Sequence, residues 1–146
     1  ADARDAAAGH VATATEKVSV TKMLFAGTEN SKMLLGFFLA ITIFYCGWNL
    51  LAGGEGEDNQ ADGCYVGDLL SWVMARAQSG NVWITVMGNV NAIAVATLTD
   101  VCCIVLTENA ALDADAAKKA EMQGIPVYGC AANSYETAIQ VHQLLQ

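Results

Sequence analysis

Hydrophobic and polar positions follow a helical and then a strand-like pattern in the middle of the chain. The apolar side chains of residues 69–77 lie at i, i+1, i+4, i+5 and i+8, on one face of a helix: Leu69, Leu70, Val73, Met74 and Ala77. The next apolar run, VWITV at Val82–Val86, is rich in β-branched and aromatic residues, as strands are. The pattern therefore predicts a helix followed by a strand, with Asp68 either capping the helix or favouring its positive end, and Gly80 ending it.

The same alternation continues to the end of the chain. GNVNAIAVATL and DADAAKKAEMQG are typical of helices, and VCCIVL and IPVYGC are typical of fully buried strands. Asp113 is the expected cap of the second of these helices and Gly124 its end. A last helix, NSYETAIQVHQLLQ, is capped by Asn133 or Ser134. Consecutive βαβ units of this kind predict an α/β fold, with a small, mostly parallel sheet flanked by helices.

The segments before this region have a different character. Residues 1–32 are rich in alanine and threonine with weak periodicity, and we expect a poorly structured lead. Residues 33–47 contain the uncharged block Leu34–Gly47, which favours a buried apolar helix followed by a strand; a membrane segment is the alternative. The glycine-rich, acidic residues 53–63 predict a loop. The regular α/β domain is expected to span residues 48–146.

Composition narrows the classes of partner. Hydrophobic residues make up 54% of the chain and charged residues only 15%, which points to a buried sheet, an oligomer interface or a membrane segment. The net charge is -8, and from Trp48 onward the only cationic side chains are Arg76, Lys118 and Lys119. Such an acidic body repels phosphate backbones, so no nucleic-acid partner is expected. The apolar surplus favours a homodimer.

The cysteines do not form a recognisable metal or disulfide framework. None of the five forms a C-x-x-C pair, and the two histidines lie far from them in the sequence. We therefore expect no metal and no cofactor. An odd number of cysteines without a framework fits the reducing cytoplasm.

Polar residues collect where the predicted parallel strands end. Ligands of open parallel sheets bind at this edge, beside helix amino termini. The candidate ligand-binding residues are Asn89, Asn91, Thr107, Glu108, Ser134 and Tyr135. Helix capping is the structural alternative for the asparagines and the serine. No nucleotide-binding glycine fingerprint occurs, and no acid–base pair can be placed, so no catalytic residue is assigned.

Four short motifs carry a resemblance to a known family. They are Gly67-Asp68-Leu69-Leu70-Ser71, Val82-Trp83-Ile84-Thr85, Glu121-Met122-Gln123-Gly124-Ile125-Pro126 and Ser134-Tyr135-Glu136-Thr137-Ala138. Together they resemble the DRTGG domain family, including the amino-terminal region of HPr kinase-like proteins, over about Trp48 to Leu145. The Asp-Arg-Thr-Gly-Gly signature is absent; Ala61-Asp62-Gly63 stands near its place, without the arginine.

The resemblance implies a regulatory module rather than a catalyst. We expect a non-catalytic domain that dimerises and senses a nucleotide or a small metabolite. Kinase activity does not transfer, since that chemistry belongs to a P-loop domain for which this sequence has no motif. Two alternatives are a small enzyme using Glu108 or Asp68 at the strand ends, and a membrane-tethered interaction module anchored through 34–47.

Overall fold

A computed structural model describes residues 18–19, 47–54 and 59–146 of the chain. Seven strands occur in these ranges: β1 (Val18–Ser19), β2 (Asn49–Ala52), β3 (Gln60–Ala61), β4 (Gly63–Val66), β5 (Asn81–Thr85), β6 (Cys103–Leu106) and β7 (Val127–Gly129). Four helices accompany them: α1 (Leu70–Arg76), α2 (Val90–Thr99), α3 (Ala114–Gln123) and α4 (Ser134–Leu144).

Five strands form one sheet in the order β2-β7-β6-β5-β4. The neighbours from β4 to β7 are parallel, and β2 pairs with β7 in the antiparallel direction. The predicted α/β class with a mostly parallel sheet is therefore confirmed. Strands β1 and β3 form a separate antiparallel pair.

The helices divide unequally between the two faces of the sheet. Each parallel strand lies beside the one before it, so successive crossovers of the same hand place α1, α2 and α3 on one face. Their buried side chains pack with Trp83, Ile104 and Val127 in one core cluster. Helix α4 lies on the other face, where Val141 packs with Val82 and Val105. The central strands β5 and β6 are buried along their whole length, as their continuous apolar sequences predict.

Three local predictions are wrong. The loop predicted over residues 53–63 contains the short strand β3 and the first residue of β4. Asp68 does not cap α1: the helix begins after Leu69, and the Asp68 carboxylate accepts hydrogen bonds from the Thr85 hydroxyl and the Val86 N–H. Gly80 does not end the helix either, because α1 ends at Arg76 and the chain becomes extended at Ala77.

The residues that cap α3 and α4 agree better with the predictions. Gly124 follows α3 with φ 64°, in the left-handed conformation that glycine adopts without steric cost. Asp113 occupies the cap position of α3, although its side chain makes no capping hydrogen bond. Asn133, rather than Ser134, caps α4 and forms a capping box with Glu136.

The predicted lead and most of the apolar block lie outside the described residues. Strand β1 is the one described part of residues 1–32, and Gly47 is the one described residue of Leu34–Gly47. Trp48, directly after the block, is buried and donates from its indole Nε1 to Gln140 Oε1 at 3.1 Å. Within the part of the chain that the structure covers, no helix has the length and hydropathy needed to cross a membrane.

Candidate functional site

The loops that follow β5, β6 and β7 form one hydrogen-bonded edge of the sheet. Asp113 N–H donates to the Gly88 carbonyl at 2.9 Å and joins the loop after β5 to the loop after β6. The N–H groups of Glu108 and Asn109 donate to the carbonyls of Ala132 and Cys130, which joins the loop after β6 to the loop after β7. The strand ends are therefore held together, as a parallel sheet requires.

Two candidate residues meet directly at this edge. The hydroxyl groups of Thr107 and Ser134 lie 3.0 Å apart and form a hydrogen bond in which either oxygen can donate. Thr107 is fully buried and follows β6 directly, while Ser134 begins α4. The first N–H groups of a helix have no partner within the helix, so Ser134 and Tyr135 present backbone donors beside this pair.

Glu108 lies in a tight turn between these elements. Glu108 and Asn109 have φ of 58° and 54°, and the N–H of Ala110 donates to the Thr107 carbonyl at 3.0 Å. Two successive non-glycine residues with positive φ cost about 1 kcal/mol or more each. Such strain is common at ligand sites, and the Glu108 side chain is exposed to solvent at the strand-end edge.

Asn89 has the structural role that the sequence left as the alternative. Its side-chain oxygen accepts from the N–H groups of Asn91 and Ala92 at 3.0 and 3.1 Å, and so caps α2. Asn91 is exposed on the first turn of that helix. Helix α2 and helix α4 lie on opposite faces of the sheet, so Asn89 and Ser134 approach the edge from opposite sides.

Tyr135 stands apart from the hydrogen-bonded pair. Its side chain is 74% exposed at the start of α4. The candidates therefore form two groups: Thr107, Glu108, Ser134 and Tyr135 around the ends of β6 and β7, and Asn89 with Asn91 at the start of α2.

Asp68 belongs to the same edge, but in a role that sequence reasoning did not assign. Its carboxylate accepts from Thr85 Oγ1 at 2.8 Å and from Val86 N–H at 3.1 Å. Thr85 Oγ1 in turn accepts from the N–H of Met87. The carboxylate thus orients the buried end of β5. The sequence signal was a threonine at the end of an otherwise apolar strand, since a buried hydroxyl requires a partner.

The potential metal ligands and the thiols limit the chemistry that this domain can perform. Over the residues that the structure describes, no group of three His, Cys, Asp or Glu side chains could hold a metal ion. The described cysteines are all free thiols. Cys64 is exposed, yet desolvation by the atoms packed around its sulfur, together with the neighbouring Cys102, raises the pKa of its thiol from 9.0 to about 11. A hydrogen bond with Cys102, together with burial, raises the pKa of Cys103, so neither thiol is activated as a nucleophile.

Comparisons with known proteins agree with the motifs in the sequence. The family model of the DRTGG domain matches residues 46–144. The fold is similar to a crystal structure of the CBS and DRTGG domains of the regulatory region of Clostridium perfringens pyrophosphatase, complexed with the activator diadenosine tetraphosphate. The TM-score is 0.61 and the sequence identity 10%; the similarity covers 97% of this chain and 56% of that one. A search of curated proteins gives no match.

Proposed function

This chain belongs to the DRTGG domain family, and from that premise we propose that it is a non-catalytic regulatory domain that senses a nucleotide or small metabolite as a homodimer. The observation that carries the ligand proposal is its fold. The similar crystal structure comes from a regulatory region that was complexed with a nucleotide activator. That protein is about 10% identical, and our chain spans 56% of its length, so the ligand itself is a proposal for this chain.

The strand-end edge is the proposed binding surface. Ser134 and Tyr135 offer helix N–H groups, which favour an anionic or polar group, and the Thr107–Ser134 hydroxyl pair supplies further hydrogen bonds. The exposed Tyr135 ring offers an aromatic face on which a base can stack. Because the domain carries few cations, a mononucleotide or weakly charged metabolite fits this surface better than a polyphosphate.

A thermal-shift screen of nucleotides and central metabolites tests the proposal. Binding should stabilise the fold by about 2.7 kcal/mol at a ligand concentration one hundred times the Kd. Ser134→Ala and Tyr135→Ala should reduce the ligand-induced shift, whereas Ser71→Ala, a matched change on the exposed face of α1, should not. Asn89→Ala is compared by the induced shift alone, since loss of its cap lowers the melting temperature of the free protein.

Two results would contradict the proposal. If no compound in the screen raises the melting temperature, the domain does not sense any of these ligands. Consumption of a bound compound during the assay would show that the domain is an enzyme.

The homodimer is supported by several exposed apolar side chains on or beside α1 and the edge strand β4. They are Val66, Leu69, Trp72, Met74 and Val86. Trp72 is 55% exposed, with the Arg76 guanidinium stacked 4.1 Å from its ring centroid. Trp and Arg are enriched among the residues that contribute most to binding at interfaces, so the exposed Trp72–Arg76 pair is the strongest support for an interface here.

Light scattering coupled to gel filtration tests the dimer. The unchanged chain should elute as a dimer and Trp72→Glu as a monomer. Met122→Glu is the matched control, because Met122 is 82% exposed on α3, away from α1 and β4. A monomeric unchanged chain, or a dimer in all three proteins, would contradict the assignment. The odd number of cysteines without a metal or disulfide framework supports a reducing, cytoplasmic location for the domain.

A further inference from the structure

A cavity lies at the edge of the sheet opposite to the candidate residues. Its volume is about 390 Å³, within the range of small-molecule sites. The amino ends of β5 and β6 border it, together with β3 and the carboxyl ends of α2 and α3. Its polar lining includes the side chains of Asn59, Ser79, Thr97, Asp100 and Gln123.

Two helix ends give this cavity a negative potential. Helix α2 ends at Thr99 and helix α3 at Gln123, and residues of both last turns line the cavity. The last carbonyl groups of a helix lack intrahelical partners and carry a partial negative charge. Among the described residues that line the cavity there is a carboxylate, Asp100, but no lysine, arginine or histidine. The site therefore attracts positive charge.

Many hydrogen-bond donors of the lining already have acceptors within the protein. The N–H groups of Gly80, Val101, Cys102, Gly124 and Ile125 all donate to backbone carbonyls. Three lining side chains also donate within the protein: Ser79 Oγ to the Asp100 carboxylate, Thr97 Oγ1 to the Ile93 carbonyl, and Asn59 Nδ2 to the Cys102 carbonyl. These groups offer a ligand acceptors, while the side-chain amides of Gln60 and Gln123 can both accept and donate. A ligand that brings donors fits this lining best.

The Asp100 carboxylate lies at the carboxyl end of α2, where the helix dipole disfavours a negative charge. Asp100 occupies the cap after α2 with φ 54°, a position that usually holds glycine. Its Oδ2 accepts from Ser79 Oγ at 2.6 Å, which fixes the carboxylate at the cavity wall. A cation bound beside it would offset the repulsion between the carboxylate and the helix end.

We propose that this cavity binds a small organic ammonium ion. The ligand's N–H groups would bond to the Asp100 carboxylate and to carbonyl or amide oxygens at the ends of α2 and α3. A bare metal ion fits less well, since one carboxylate and a volume of about 390 Å³ do not form a compact coordination shell. This site lies at the opposite edge from Ser134 and Tyr135 and does not depend on the proposed nucleotide role.

Isothermal titration with methylammonium, 1,4-diaminobutane and spermidine, each at constant ionic strength, tests the proposal. 1,4-Butanediol serves as the neutral counterpart of the diamine. At least one ammonium should bind, and the diol should not. In amide NMR spectra the binding compound should shift the resonances of Gly80 and Gly124 and leave those of Ser134 and Tyr135 in place.

Two matched variants separate a built site from general attraction to an acidic protein. Asp100→Asn keeps the side-chain shape and the left-handed backbone but removes the charge, and should weaken binding about tenfold or more. Asp113→Asn makes the same change at the opposite edge of the sheet and should leave the affinity unchanged. No binding by any of the three ammonium ions, or equal weakening by the two variants, would overturn the proposal.

Discussion

At the scale of single residues, Asp68 should contribute measurably to stability, because its carboxylate accepts from Thr85 and Val86. Asp68→Ala leaves the buried Thr85 hydroxyl without its acceptor and should lower the free energy of unfolding by about 1–3 kcal/mol, measured by urea denaturation. Asp68→Asn retains a side-chain oxygen acceptor and should lose less. Equal stability of Asp68→Ala and the unchanged chain would mean that these hydrogen bonds contribute nothing net.

Cys64 should react slowly for an edge-strand thiol. Its pKa of about 11 lowers the thiolate fraction at neutral pH, so alkylation at pH 8 should be about tenfold slower than in the urea-unfolded chain. Between pH 9 and 11 the unfolded chain loses this proton before the folded one, so stability should fall as the pH rises. Peptide mapping by mass spectrometry measures the alkylation rate; equal rates in both states would refute the raised pKa.

The sequence predicts the hydrogen-bonding roles of some polar residues and not of others. Asn89 and Asn133 were recognisable as caps, since capping depends on a few neighbouring positions. Asp68 has the same local signature, yet its partners are on the next strand and just after it, 17 and 18 residues later. A local pattern cannot show whether a carboxylate caps the following helix or accepts hydrogen bonds from a neighbouring strand.

At the scale of elements, the end of α3 depends on glycine. Gly124 has φ 64°, and a side chain there would meet no other atom, so the cost of replacement lies in the backbone alone. Gly124→Val should therefore lower the free energy of unfolding by about 1–2 kcal/mol. Gly124→Asn should cost less, because asparagine tolerates this conformation. Thermal unfolding followed by circular dichroism compares the two; matching melting temperatures would show that the turn adjusts.

Elements with a strong, continuous pattern were predicted well, and short ones were not. Strands β5 and β6 are buried along their length, so their apolar runs identify them. Strand β4 is the four-residue edge strand Gly-Cys-Tyr-Val, which begins with glycine and buries only part of its surface. Residues 63–66 become a strand because they pair with β5, and the sequence of β4 alone does not indicate that pairing.

At the scale of the whole molecule, the apolar block before the domain should decide solubility. We expect Leu34–Gly47 to pack against the sheet or a second subunit. A chain lacking residues 1–32 should then stay soluble, and one lacking residues 1–47 should expose an apolar face and precipitate. Sedimentation of the two truncated chains at equal concentration distinguishes them. A soluble, monodisperse chain without residues 1–47 would contradict the packing.

Of the two candidate sites, only the one at the strand ends could be predicted from the sequence. The strand-end residues could be named because parallel strands finish at one edge, and the structure places them there. The cavity beside Asp100 could not, because its wall joins Asn59, Thr97 and Gln123 from three separate parts of the chain. None of these residue types signals a ligand alone. Only the packing of α2 beside α3 brings their ends together.

Strand β2 pairs with β7, which lies far from it in the sequence, and this sets an order for folding. Asn49 pairs with Gly129, about 80 residues away, whereas each parallel pair joins residues about 20 apart. Closing the longer loop costs more entropy, so the four parallel strands should assemble first and β2 should dock last. In refolding with pulsed hydrogen exchange, the β2 amides should gain protection after those of Ile84 and Val105. Simultaneous protection would mean that the chain closes in one step.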